Sequence, residues 1–447
     1  MKTRITVLLA ALLITFNIGF AQQDEECMTN LTLFSDAAKK GKKDPKGYDE
    51  AYEPWMAVRK KCPKFNRAIY QYGEKILNHK IKNASGSEKV AYINDLVKLL
   101  GEGNQYFTKY YKKGDVLSEI AQIKYKYKKD LGLSDQNLYD EFDSAFKTDK
   151  ANFKHPQRLY TYFSLVVDLF DAGKQPAQAM FDKYDDVNEK VEEEVKKNSD
   201  GLNKLMQKEE AGTALTKKEN GYKKQYSSYL ENYAKISGSM DQKLGDRANC
   251  EVLIPLYDKN FESNKNDNVW LQRAMNRMYA KGCKEDPLFV KLVEQKHSLE
   301  PNASTSFYLY LLTGEQKYFD ETVRLETDPF KKAKLYKKIA REYKDKGSYG
   351  KARQYYTEAL KLNPSDKKPH ISIAAMYAKS ANRCGDTNFN KRAVFWLAAN
   401  ELKKAGVKAG NYEAKAPSRA DIFNEDMAGK TIKIGCWIGR SVKVPSL

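Results

Sequence analysis

Residues 333–364 read AKLYKKIAREYKDKGSYGKARQYYTEALKLNP. Tyr336, Ile339, Ala340 and Tyr343 recur at steps of three, one and three, which is one face of an α-helix. Gly347 breaks the pattern. Ala352, Tyr356 and Ala359 then open a second helical face, and Pro364 stops it. Two short helices joined by a glycine turn form an antiparallel hairpin. Ala340, Ala352 and Ala359 carry too little bulk to hold the helices apart, while the tyrosines fill the gaps toward neighbours. A lone hairpin leaves apolar surface in water, so this stretch requires a stack of similar units around it.

The flanking sequence supplies them in degenerate form. Gly41, Pro63, Ser85-Gly86, Gly101, Gly114, Gly132, Pro156 and Gly173 punctuate helical segments of roughly 12–18 residues. Tyr48–Ile81, Tyr160–Val187 and the pair Phe307–Leu312 with Tyr318–Leu325 have the hairpin rhythm. Another unit starts at His370, runs through Tyr377, and resumes near Asn390–Ala393 after an insertion carrying Cys384. Residues 176–245 differ. Tyr184, Val187, Val191, Val195, Leu202 and Leu205 form one seam, and Leu215, Tyr222, Tyr226, Tyr229, Tyr233, Ile236 and Met240 form another, with a turn at Glu209–Thr213. This predicts a long, coiled-coil-like helical hairpin, either a projecting arm or an element packed within the array, with Gly201 and Gly221 weakening a rigid arm. At the far end Ile432, Ile434, Cys436 and Ile438 alternate with other residues, and Gly439-Arg440 turns the chain into Val442–Val444, a β-hairpin. It would cap the last repeat.

The chain has 447 residues, with 78 Lys+Arg against 59 Asp+Glu, 30 Tyr, 19 Phe and only 4 His. A mean hydropathy of −0.73 excludes a multi-span membrane protein, since only the first twenty residues form an apolar run. Lys2 and Arg4 precede the apolar Ile5–Phe20, and small Gly19 and Ala21 suit signal peptidase, so residues 1–21 read as a cleaved export signal. An even number of cysteines in an exported chain points to disulfides. Of fifteen connectivities, the spacing of one hairpin between Cys27 and Cys62, and between Cys250 and Cys283, favours those two pairs together with Cys384–Cys436.

The 333–364 stretch matches the tetratricopeptide (TPR) pattern of large, aliphatic, small and Tyr, then Ala, aromatic, Ala and Pro. More widely, the sequence resembles secreted TPR proteins of Bacteroidota-type bacteria in "GFAQ" at 19–22, YDEAYEPWMAVRKKCPKFNRAIYQYGEKIL at 48–77, and GKTIKIGCWIGRSVKVPSL at 429–447. The resemblance implies an all-α, TPR-like right-handed α-solenoid with the long hairpin as an insertion and the short β-hairpin at its end. The expected organisation is a signal (1–21), degenerate N-terminal repeats (22–175), the long hairpin (176–245), C-terminal TPR repeats (246–412) and a tail with the β-hairpin cap (413–447). The compartment it implies is periplasmic or outer-membrane-associated. It transfers no chemistry.

The sequence contains no nucleophile elbow, zinc-protease helix, P-loop or dinucleotide fingerprint, and its histidines stand alone. No cofactor, metal or catalytic residue is expected, and His370 reads as a packed core imidazole. The expectation is a non-enzymatic protein-binding scaffold. In TPR proteins the first helices line a groove and hold peptide carboxylates, which implies peptide-binding roles for Lys334, Lys337, Arg341 and Lys344 on one face of the best repeat. The next first helix offers Ile371 and Ala375 at the equivalent positions, so that clamp is incomplete. The expected partner is a protein of the cell envelope, with no nucleic acid and no transmembrane span after signal cleavage. The alternative is an envelope glycan or anionic lipid surface, met by the basic aromatic face where Tyr106, Phe107, Tyr110, Tyr111, Tyr125 and Tyr127 interleave with lysines.

Overall fold

Helical hairpins fill the computed structural model, which describes residues 25–447; the expected signal at 1–21 lies outside the described residues. The chain is all-α and TPR-like apart from one small sheet. Its contacts divide it into two units, the first ending at Glu192 and including Tyr233–Lys243, the second holding Glu193–Asn232 and Leu244–Leu447.

The first unit contains α1 (25–40), α2 (Lys46–Lys61), α3 (Ala68–Asn83), α4 (Gly86–Tyr106), α5 (Lys113–Lys126), α6 (Lys128–Leu131), α7 (Asp135–Thr148) and α8 (Pro156–Asp171). Its core gathers Phe34, Trp55, Val58, Ile69, Tyr70, Ile76 and Leu77 with Ile93, Leu96 and Leu99. Trp55 is fully buried, and its indole N–H donates to the Ile69 carbonyl at 2.7 Å. The ring lies against Gly73, where an added Cβ would stand 2.7 Å from it. Arg59, one turn along from Trp55, is buried between Asp95 (2.8 Å) and Glu102 (2.7 Å) of α4. A serine cap at Ser134 with Asn137 starts α7, satisfying donors that the first helical turn leaves free.

The long helices α9 (Ala177–Glu210) and α10 (Lys217–Leu244) are shared, base with the first unit and tip with the second. At the base Tyr233 donates to the Lys154 carbonyl, and Tyr184 to Asp241 at 2.7 Å. Within the second unit the tip is no free arm. The Asn203 side chain donates to Asn363 Oδ1 at 3.0 Å and accepts from the Ser365 N–H at 3.1 Å, while Lys196 pairs with Asp328 and Lys367 with Glu231. Gly201 has a packing role here: a Cβ there would meet the Tyr226 ring at 2.8 Å, so its absence is what admits that ring.

The second unit continues through α11 (Cys250–Asn264), α12 (Asn268–Ala280), α13 (Pro287–Leu299), α14 (Ala303–Thr313), α15 (Gln316–Leu325), α16 (Pro329–Asp345), α17 (Tyr349–Leu362), α18 (Lys368–Cys384), α19 (Asn388–Lys404), and the short α20 (Gly410–Glu413) and α21 (Arg419–Asn424). Asp267, Asp286, Asn302, Asp328 and Thr387 cap α12, α13, α14, α16 and α19 through side-chain bonds to backbone N–H groups. In the best repeat Ile339, Ala340, Ala352, Tyr356 and Ala359 are buried. Tyr336 and Tyr343, which periodicity placed in the core, are half-buried and pack on Tyr355 of α17. No insertion separates α18 from α19: the first helix runs through Cys384 and only 385–387 intervene.

Strands β1 (Thr431–Ile434) and β2 (Arg440–Lys443) pair antiparallel, with Ile432 opposite Val442 and Ile434 opposite Arg440. The turn is 435–439, longer than expected, because Cys436 leaves the strand at φ 48° to meet Cys384. Ile432, Ile434, Ile438, Val442 and Val444 are buried with Ala393, Val394 and Ala398 of α19. All six cysteines stand at bridging distance in three pairs, Cys27–Cys62, Cys250–Cys283 and Cys384–Cys436, with Cα separations of 6.4, 5.5 and 5.3 Å.

Candidate binding cleft

α16 and α18 are the first helices of consecutive hairpins. Where α16 ends, a cleft of about 690 Å³ opens between it and α18. One wall is the turn into α17. Gly347, at φ 74°, lets its N–H bond the Lys344 carbonyl (3.0 Å) while Ser348 N–H bonds that of Tyr343 (2.8 Å), and this holds Lys344, Asp345 and Lys346 at the helix end. Cations there also suit the negative end of the helix dipole. The other wall is the face of α18 formed by Ala375, Lys379 and Arg383 at four-residue steps, opposite the buried Ile373, Ala374, Tyr377 and Ala381.

The floor is Tyr349 and Met376, both buried. It is held from behind by the C-terminal cap. Trp437 stacks on Tyr377 and meets Tyr349 edge-on, each at 5.5 Å between ring centroids, and its indole N–H donates to Ser380 Oγ at 2.9 Å. Arg353 adds a bond to the Ile438 carbonyl at 2.5 Å.

Four cations therefore surround this space against one acid. Lys346, Lys379 and Arg383 are exposed and have no carboxylate partner among the described residues, whereas Lys344 lies 3.8 Å from Asp345. Such a set offers an anion charge-assisted hydrogen bonds over an apolar floor.

The expected stripe divides when placed in the structure. Lys344 lines the cleft, and Arg341 reaches it only through Asp345, at 3.7 Å. Lys337 is half-buried and bonded to Asp366 beyond α17, and Lys334 is half-buried on the same helix. Lys379 and Arg383 were not singled out from the sequence, although Ile371, Ala375, Lys379 and Arg383 share one face. That face reaches Lys379 one turn past Ala375 and Arg383 two turns past it.

Elsewhere several titratable residues are perturbed by burial or held by charged neighbours. His370 is not simply packed: its Nδ1 lies 2.7 Å from Glu401, which burial would raise and which the bonds from His370 and Lys404 hold below the usual carboxylate range. In the first unit, burial and the nearby charge of Glu119 push Glu74 up to about 7, while Arg158 binds Asp115 (2.7 Å) and Glu119 (3.1 Å). Among the described residues no three His, Cys, Asp or Glu side chains converge as metal ligands do, and no helix is long and apolar enough to cross a membrane.

No protein-family model and no curated protein matches the sequence. Among solved structures, yeast Tom70 is similar at 14% identity over 83% of this chain and 69% of that one, with a TM-score of 0.24. A circular tandem repeat protein with novel repeat topology and enhanced subunit contact surfaces is similar at 10% identity over 90% of this chain and 97% of that one, with a TM-score of 0.23.

Proposed function

We propose that this chain is a non-enzymatic scaffold of the bacterial cell envelope, related to secreted TPR proteins of Bacteroidota-type bacteria. Its C-terminal repeats would hold an acidic, extended segment of a partner protein in the cleft between α16 and α18. The observation that carries this reading is the excess of Lys344, Lys346, Lys379 and Arg383 over Asp345 around the Tyr349–Met376 floor. An extended chain lying across stacked hairpins presents side chains at regular intervals, and acidic ones meet these cations. The disulfides fit an exported protein. The alternative expectation, an anionic envelope surface, concerns a different part of the chain, in the first unit.

The test is a photocrosslinking residue in place of exposed Ala375, activated in the native cells. The expected result is a defined protein product that disappears when Lys379→Glu and Arg383→Glu are introduced. A product indifferent to that pair, or no protein product, overturns the cleft reading.

A further inference from the structure

Two loops of the first unit meet beside the hub ring of Tyr70. The first, 62–67, follows α2 and is fixed at its start by Cys62, bridged to Cys27. Tyr70 donates from its hydroxyl to the Pro63 carbonyl at 2.9 Å, and Asn66 accepts the Ala68 N–H at 2.8 Å. The second, 107–113, joins α4 to α5. Its turn is closed by Tyr110 and Tyr111 N–H groups bonding the Phe107 carbonyl at 2.9 and 3.0 Å, and Asn104 donates to the Tyr111 carbonyl at 2.7 Å. Tyr106, Phe107 and Tyr111 all pack on Tyr70, with centroids 6.4, 5.6 and 6.1 Å away.

This anchoring has an unusual product. Of two consecutive tyrosines, Tyr111 is turned inward against Gly103 and Tyr110 is held outward, 56% exposed. Arg67 of the first loop lies 4.0 Å over the Tyr110 ring, and Lys64 5.6 Å over Tyr106, so two cation–π pairs knit the loops together. Arg67 and Lys109 lie over the exposed ring, and Lys64, Lys112 and Lys113 are exposed on the same stretches of chain. Neither loop contains an Asp or Glu, and none of these five cations forms an ion pair among the described residues.

We propose that the 62–67 and 107–113 loops form a platform that docks the chain on anionic phospholipid headgroups. A cluster of basic side chains is drawn to such a surface without needing a particular sequence or shape. Tyrosine is an interfacial residue, with an apolar ring and a hydroxyl that stays at headgroup level. A protein partner fits less well. Protein anchors need an apolar patch with room to bury, and here Tyr106, Phe107 and Tyr111 already pack on Tyr70 and Phe65 packs against the core around it, which leaves Tyr110 as the exposed ring. The platform is independent of the α16–α18 cleft and stands or falls without it.

The experiment is co-sedimentation of the purified protein lacking residues 1–21, so that the apolar signal cannot itself bind lipid. The vesicles are phosphatidylcholine alone and phosphatidylcholine mixed with phosphatidylglycerol. Binding is expected only to the mixed vesicles. It should collapse between about 0.1 M salt, with a screening length of roughly 10 Å, and about 1 M, at roughly 3 Å. Arg67→Glu with Lys109→Glu should weaken it at least tenfold, and Tyr110→Ala several-fold with the salt dependence kept. Lys379→Glu with Arg383→Glu should leave it unchanged. An unaltered melting curve shows that the charge-reversed protein is folded; if it is not, Lys112→Glu with Lys113→Glu, which touch no ring, takes its place. Equal binding to both vesicles, no binding, or binding indifferent to these loops overturns the proposal. So does capture of poly-glutamate through the same residues when the vesicles are ignored, which would assign the platform to an acidic polypeptide.

Discussion

The hairpin of α2 and α3 and the hairpin of α16 and α17 solve one problem in opposite ways. Both must bring two helices close. In α16–α17 the contact is made of small residues, Ala340, Ala352 and Ala359, with Tyr356 filling the side. In α2–α3 one residue is as large as a side chain can be and the other has none: Trp55 lies against Gly73. The first solution spreads its contribution over several methyl groups. The second concentrates it in one indole, which also carries a hydrogen bond to Ile69 and the guanidinium of Arg59 5.2 Å from its centroid. The lesson is that helix proximity sets the sum of the facing volumes and leaves their division free.

The concentrated solution is the more fragile. Trp55→Ala should cost about 3–5 kcal/mol, since it removes a fully buried ring and leaves a cavity between α2 and α3. Urea unfolding followed by far-UV circular dichroism reads this out. A cost below about 1 kcal/mol would mean that α2 and α3 do not depend on the indole, and the contrast between the hairpins would fail.

A sharper version exchanges the same two residues in opposite directions. Helix propensity alone says that Gly73→Ala stabilises by about 1 kcal/mol and that Ala352→Gly destabilises by as much. Packing says otherwise at Gly73. The new Cβ would stand 2.7–2.8 Å from indole atoms of a ring pinned by its own hydrogen bond, so it cannot swing aside. Overpacking of this kind costs about 1–3 kcal/mol. Ala352→Gly should lose the propensity term and also a buried methyl worth about 0.8 kcal/mol. Both substitutions therefore destabilise, and a Gly73→Ala protein that melts higher than the parent would break the comparison.

The same division explains what was legible in the sequence. The α16–α17 repeat could be read because its small residues fall at fixed steps inside 32 residues, and each step is a local property of a helix. The alternation of Ile432 and Ile434 was local too. What escaped were partners set by distant chain. Lys337 looked like one of a free stripe, and its counter-ion Asp366 lies across the hairpin, beyond α17. The apolar seams of α9 and α10 allowed either an arm or a packed element. Distant contacts such as Asn203 with Asn363, 160 residues on, and Lys196 with Asp328 decide it. In the cleft, Lys379 and Arg383 are ordinary surface cations in sequence, and become a set with Lys344 and Lys346 only once α16 and α18 are side by side.

The smallest effect concerns charge, and it also separates the two hairpins. In α16 the Arg341 charge is exposed and lies 3.7 Å from the equally exposed Asp345. In α3 the residue after Gly73 is Glu74, half-buried, and burial with the charge of Glu119 pushes it up to about 7. Lys75 and Arg158 oppose the shift without cancelling it, and Asp115 adds to it. Folded protein therefore holds this proton to near neutrality, while unfolded chain releases it near 4.5. Between those values the native state binds more protons, so its stability is full below the lower one and falls as pH rises through the higher. Allowing for the partial exposure, the fall attributable to Glu74 should be about 1 kcal/mol across this window. Asp143 runs the other way in a separate range. Burial would raise it, but bonds from Lys147, Tyr162 and Lys183 bring it to about 2, so its contribution is lost only as pH drops below about 4. Glu74→Gln, which cannot ionise, should flatten the melting temperature between about pH 5 and 8 and leave the acid limb as it was. If the variant keeps the parent's slope in that window, the buried charge that distinguishes the first hairpin is not felt at Glu74.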